Sequence, residues 1–197
     1  MKKFCFLFLV TCFSFFQASA QDQTTTSYKR PPAIGISFLF NDFLTAQRIR
    51  STSLSSVRAK KQGAKLGDMN GGIGISYFKG VTDKIDFAAT LTASSAQTTV
   101  NGGQYATERS LIEADASLNL KLLSDRYWVS PYAIVGAGLS KYGVYYGAFI
   151  PVGAGLKVNL SDEAAFFINS QYRIPVTSAT TSYHFMHSIG IAGNIGK

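Results

Sequence analysis

The sequence predicts an all-β fold: an eight-stranded antiparallel up-and-down transmembrane β-barrel preceded by a cleaved signal peptide. Three observations lead there. Apolar and polar residues alternate in eight segments, the period-2 mark of strands with two unlike faces. One turn recurs in "GVTDKIDF" (80–87), "LLSDRYW" (122–128) and "NLSDEAAFF" (159–167), each with Ser or Thr, then Asp, then an aromatic residue at even offset. Most segments run for about ten residues, the length a tilted strand needs to cross a bilayer.

The chain opens with Lys2 and Lys3, the apolar run "FCFLFLVTCFSFF" (4–16) and "ASA" (18–20). That is a secretory signal, too short in its apolar part to remain as a membrane helix. Residues 1–20 are therefore read as signal peptide, 21–31 as a flexible periplasmic tail and 32–197 as the barrel. Cys5 and Cys12 leave with the signal, which removes disulfides, thiolate catalysis and cysteine-bound metal from the mature chain. Loss of Lys2 and Lys3 lowers the formal net charge of +8 by two.

The eight segments are 33–43, 70–81, 85–96, 111–122, 128–141, 148–160, 166–176 and 185–196. Residues 111–122, "LIEADASLNLKL", show the pattern best. Ile112, Ala114, Ala116, Leu118 and Leu120 share one face, and Glu113, Asp115, Ser117, Asn119 and Lys121 share the other. The polar faces are rich in glycine, which suits a crowded interior, and the apolar faces carry Ala, Val, Ile and Leu throughout. A soluble sandwich would turn the apolar face inward. Here the polar face is read as lumen and the apolar face as lipid contact.

The repeated turn joins every second pair of segments. Its Ser or Thr and its aspartates, Asp83, Asp125 and Asp162, are expected to tighten the reversals by bonding their own backbone. Phe87, Tyr127 and Phe166 then fall on the apolar face as interface aromatics. The remaining connections, 44–69, 97–109, 142–147 and 177–184, read as longer or more variable. Short turns on the periplasmic rim and longer loops outside are the pattern of outer-membrane barrels, so the cell outer membrane is the expected location.

The stretches "SPYAIVGAGLSKYG" (130–143), "GAFIPVGAGLKVNLSDEAAFFINSQYRIP" (147–175) and "HSIGIAGNIG" (187–196) resemble the small OmpA-like outer-membrane β-barrels. The resemblance implies an eight-stranded barrel with no cofactor. Many members of that family continue into a peptidoglycan-binding module and end the barrel on an aromatic residue. This sequence ends "NIGK", so cell-wall tethering is not carried over.

Candidate chemistry is sparse. No catalytic, cofactor-binding or metal site is assigned. His184 and His187 are the only histidines, beside the last connection, and read as interfacial residues meeting head groups. His187 and Ser188 are neighbours on a strand and point to opposite faces, which disfavours a Ser–His nucleophile; Glu108 and Ser182 are the distant alternatives. Residues 45–68 hold Arg48, Arg50, Arg58, Lys60, Lys61 and Lys65 against Asp68 alone. An exported protein rarely meets nucleic acid, so this basic surface loop suggests anionic lipid head groups or surface polysaccharide.

Inside, Glu113, Asp115, Arg173, Lys157, Lys121 and Asp86 are expected to form a lumen charge network. Asp115 and Arg173 stand at similar height above the turns, so Arg173 should pair with Asp115 or Glu113. The function expected is a monomeric structural or surface-interaction barrel with a largely plugged polar lumen, in contact with outer-membrane lipids. A narrow pore for small solutes or ions is the alternative, followed by a surface lipid-modifying enzyme. An apolar lumen for a hydrophobic ligand is denied by parity.

Overall fold

The computed structural model describes residues 29–96, 109–177 and 181–195. Residues 1–20, read above as a signal peptide, residues 21–28 of the expected tail, and Glu108 with most of the 97–109 connection lie outside them. The strands are β1 (Ala33–Asp42), β2 (Asn70–Gly80), β3 (Ile85–Ala96), β4 (Arg109–Lys121), β5 (Val129–Tyr142), β6 (Tyr145–Asn159), β7 (Ala164–Pro175) and β8 (His184–Asn194). They pair antiparallel in chain order, and β8 returns to β1 to close the barrel.

The register sets the width. Its pairing runs from Ala33 through Phe78, Ala88 and Ser117 to Gly136, then on through Arg173 and His184. The residue after His184, Phe185, pairs with Asp42 at the far end of β1, so the path returns one step past that end, a stagger of ten residues. An eight-stranded barrel has an interior just wide enough for side chains to fill. Pairing of β5 with β6 lapses between Val135↔Val152 and Gly138↔Phe149, where Pro151 has no N–H to give.

Parity assigns the faces. Every strand alternates, and the wall is inside out relative to a soluble protein. Ile36, Phe38, Ile75, Leu91, Leu139 and Ile191 are more than half exposed on the outer surface. Ser37, Ser76, Glu113, Asp115, Lys121, Gln171 and Arg173 are buried within. A continuous apolar exterior on this scale is a bilayer contact, and closure leaves no unpaired strand edge for lipid to strand.

Three connections depart from the sequence expectation. Residues 43–69 are not a plain loop. Asp42 caps a helix, α1 (Phe43–Ser51), by accepting a hydrogen bond from Thr45 N at 2.8 Å; Ser53 caps a second, α2 (Leu54–Ala59). Arg48 and Arg50 occupy the last turn of α1, where cations suit the helix dipole. The 142–147 connection shrinks to Gly143 and Val144, because β6 begins at Tyr145; Gly143 takes the positive φ (59°) that a two-residue hairpin requires. Conversely, the 122–128 turn is longer than its two counterparts at 81–84 and 160–163. Loop length alone therefore does not tell the two rims apart.

The turns are also held differently. Thr82 Oγ1 accepts from Lys84 N (3.2 Å), and Ser161 Oγ from Glu163 N (3.3 Å) and Ala164 N (3.1 Å). The hydroxyls make these bonds. The carboxylates of Asp83 and Asp162 make none among the described residues, and Asp125 points into the barrel. Phe87 and Phe166 face outward at this lower rim, and Tyr127 and Trp128 stand exposed in the turn beside it, Trp128 at 71%.

Ala116 sits near mid-height on the outer face of β4. Ala116→Arg should destabilise the barrel by about 2–4 kcal/mol, the usual loss for a charge at the bilayer midplane. Urea unfolding in lipid vesicles reads this directly. A loss below about 1 kcal/mol would mean that β4 does not face lipid.

Candidate functional site

The inward charges form two separate clusters rather than one network. Asp115 and Lys121 are six residues apart on β4, which places the clusters about 20 Å apart along the strand. The apolar group of Ala33, Phe78, Ala88, Phe167 and Ala192 adjoins the lower cluster, with Phe167 opposite Lys157 in the β6–β7 register.

The upper cluster centres on Arg173, which is 0% exposed. Its Nη1 donates to Glu113 Oε2 and its Nη2 to Asp115 Oδ2 at 3.0 Å, so both acids on β4 receive the one guanidinium from β7. The Phe149 ring lies 4.6 Å from the guanidinium carbon. Gly138 makes room for it: a Cβ there would fall 2.9 Å from Asp115 Cβ and into the Phe149 ring.

His184 completes this cluster and corrects the interfacial reading. It pairs with Arg173 in the β7–β8 register and is 1% exposed inside the barrel. Its Nε2 lies 3.5 Å from Glu113 Oε2, and its Nδ1 donates to the Ser182 carbonyl at 3.0 Å. Phe43, the first residue of α1, stacks on the imidazole with centroids 4.6 Å apart. The helix thus rests on the charged cluster.

The lower cluster joins Asp86, Lys121, Lys157, Asp125 and Arg30. Lys121 Nζ donates to Asp86 Oδ1 (2.7 Å) and to Asp125 Oδ2 (2.8 Å), and Lys157 Nζ donates to Asp125 Oδ1. Asp125, read from sequence as a turn residue, is drawn inward by these two ammonium groups. Arg30, assigned to the flexible tail, lies in the barrel mouth: its Nη1 is 4.0 Å from Asp86 and its guanidinium covers Phe78 at 4.8 Å.

Of the basic residues in 45–68, Arg48 and Arg50 are engaged structurally. Arg48 Nη1 donates to the Gln62 carbonyl at 2.5 Å, and Arg50 covers the Tyr183 ring at 3.8 Å. Arg58, Lys60, Lys61 and Lys65 stand exposed on the cap. Below it an outer aromatic belt runs through Tyr183, Tyr172 and Phe185, with Tyr172 centroids 5.9 and 4.7 Å from the other two.

Ser188 and His187 do lie on opposite faces, but His187 has another partner. Ser170 on β7 is directly opposite His187, and its Oγ is 3.0 Å from His187 Nδ1 on the outward wall. Ser170 interrupts an otherwise apolar face, the one sequence sign that its strand neighbour is polar. The two groups satisfy each other where lipid offers no hydrogen bond.

The fold matches solved structures. The outer membrane protein OprG from Pseudomonas aeruginosa superimposes with TM-score 0.58 at 11% identity, over 86% of this chain and 98% of that one. Its fold is that of the eight-stranded outer-membrane β-barrels. Neisserial surface protein A (NspA) matches with TM-score 0.55 at 12% identity, over 83% and 96% of the two chains. No family model matches the sequence, and no curated protein matches it either. At these identities an outer-membrane barrel is shared as architecture.

Asp125 gives the lower cluster a pH signature. Burial raises its pKa, but Lys157 and Lys121 outweigh that and hold the carboxyl below the usual range. The unfolded carboxyl protonates first on acidification, near pH 3.9. The stabilisation is thus complete above that pH and is lost as pH falls through the lower folded value. Asp125→Asn should flatten the acid limb of a stability–pH curve and lower stability at neutral pH by about 3–5 kcal/mol. Equal acid sensitivity in both proteins would reject this role.

Proposed function

We propose that this protein is a closed outer-membrane barrel that presents a basic cap outward and does not conduct appreciably. The upper cluster carries the reading: Arg173, Glu113, Asp115 and His184 meet inside the wall, and α1 lies over them through Phe43. Inward side chains from β4, β7 and β8 converge there, which supports a plug over a pore. In planar bilayers, wild type should show little steady conductance. Arg173→Ala leaves two acids without their main partner and should raise leakage or lower stability by about 3–5 kcal/mol. Large conductance in wild type, unchanged in Arg173→Ala, would favour the narrow pore.

The cap supports surface interaction. Arg58, Lys60, Lys61 and Lys65 project from a segment fixed at both ends, by α1 on one side and β2 on the other. Their chemistry suits phosphorylated lipid head groups or acidic polysaccharide, with attraction weakened by salt. Replacing all four by Gln should abolish salt-sensitive binding to such polyanions while leaving membrane insertion unchanged. Binding that persists in the replaced protein at high salt would rule the cap out.

A further inference from the structure

We propose that the lower mouth of the barrel holds a binding site for a phosphate-bearing anion, with Arg30 as its principal donor. The first reason is charge. The buried cluster contains three cations, Arg30, Lys121 and Lys157, against two carboxylates, Asp86 and Asp125. An unbalanced buried charge is costly, and the imbalance is one positive charge. Both oxygens of Asp125 are taken, by Lys157 and Lys121, and Asp86 Oδ1 is taken by Lys121. The cation left without a hydrogen-bonded carboxylate is therefore Arg30, which faces only Asp86 Oδ2.

The second reason is geometry. The Arg30 side chain is 9% exposed, yet its nearest carboxylate oxygen is 4.0 Å away, beyond hydrogen-bond reach. Among the described residues its guanidinium has no hydrogen-bond acceptor. Phe78 covers one face of the guanidinium, an arrangement that leaves the in-plane N–H groups available. Arg30 lines a cavity of about 280 Å³ together with Lys157, Asn159 and Ser161. A planar fork of N–H donors matches a tetrahedral oxyanion better than any other common group.

The position explains which anions reach it. Tyr127 and Trp128 form part of the cavity lining and are exposed at the rim, where aromatic residues mark the level of lipid head groups. Both a free phosphate and a phospholipid head group therefore have access. Asp162, on the lip, is exposed to solvent and screened there.

Trp128 is the only tryptophan of the chain and lines the cavity, so its fluorescence reports occupancy. The folded barrel in an uncharged maltoside detergent would be titrated with inorganic phosphate and, separately, with monomeric short-chain phosphatidylglycerol. A saturable change, absent with chloride at equal ionic strength and weakened at least tenfold in Arg30→Gln, is expected. Saturation by phosphate alone assigns a free anion, and response only to the lipid assigns a head group. No saturable change with either, or equal affinity in Arg30→Gln, would overturn the site. A second readout needs no variant: the ligand that saturates should also raise the wild-type unfolding temperature, as anything bound only by the folded state must. An unchanged unfolding temperature at saturation would overturn it as well.

Discussion

Backbone closure is the constraint on which the rest depends. A strand edge in lipid leaves N–H and C=O groups without partners, so the sheet must meet itself. Eight strands with a ten-residue stagger then fix the interior, and the interior has to be filled by whatever the inward parity supplies. Gly138 and Gly155 face long neighbours because of this: the Phe149 ring lies across one and the Tyr132 ring across the other. Large and small residues interleave around a fixed circumference, and the glycines are the small half of that fit.

The same enclosure governs the charges. Ionised groups inside the wall are removed from bulk water and persist only beside opposite charges with good geometry. At the upper end one guanidinium bridges two acids on a single strand, with an imidazole alongside. At the lower end two ammonium groups share one carboxylate, and a third cation leans on an aromatic face. Arg173 links β7 with β4, strands that the backbone ladder does not pair directly, and Lys157 ties β6 to the β4–β5 turn.

Much of the wall is legible in the sequence, because a period of two needs no knowledge of partners. "LIEADASLNLKL" declares its two faces by itself. What depends on register is less legible. His184 belongs to the lumen only once β8 is set against β7, and Ser170 becomes the partner of His187 only by the same alignment. Asp125 looks like Asp83 and Asp162 in its local motif, yet two lysines from different strands draw it inward. The helices over 43–59 escape a reading by alternation because they are short and capped by single residues, Asp42 and Ser53. Gly143 fails for the opposite reason: one residue at positive φ shortens a connection that composition alone leaves open.

The β1–β8 seam has a consequence for how such a chain comes together. Seven of the eight pairings join strands adjacent in sequence and can form hairpin by hairpin, at small entropic cost. The eighth joins Ala33 to Asn194, opposite ends of the barrel segment, and cannot form until the others exist. Before that moment a curled but open sheet would present the unpaired backbone N–H and C=O groups of β1 and β8 to lipid at its two free edges. Contacts between sequence neighbours thus make up most of the wall, and one long-range pairing closes it.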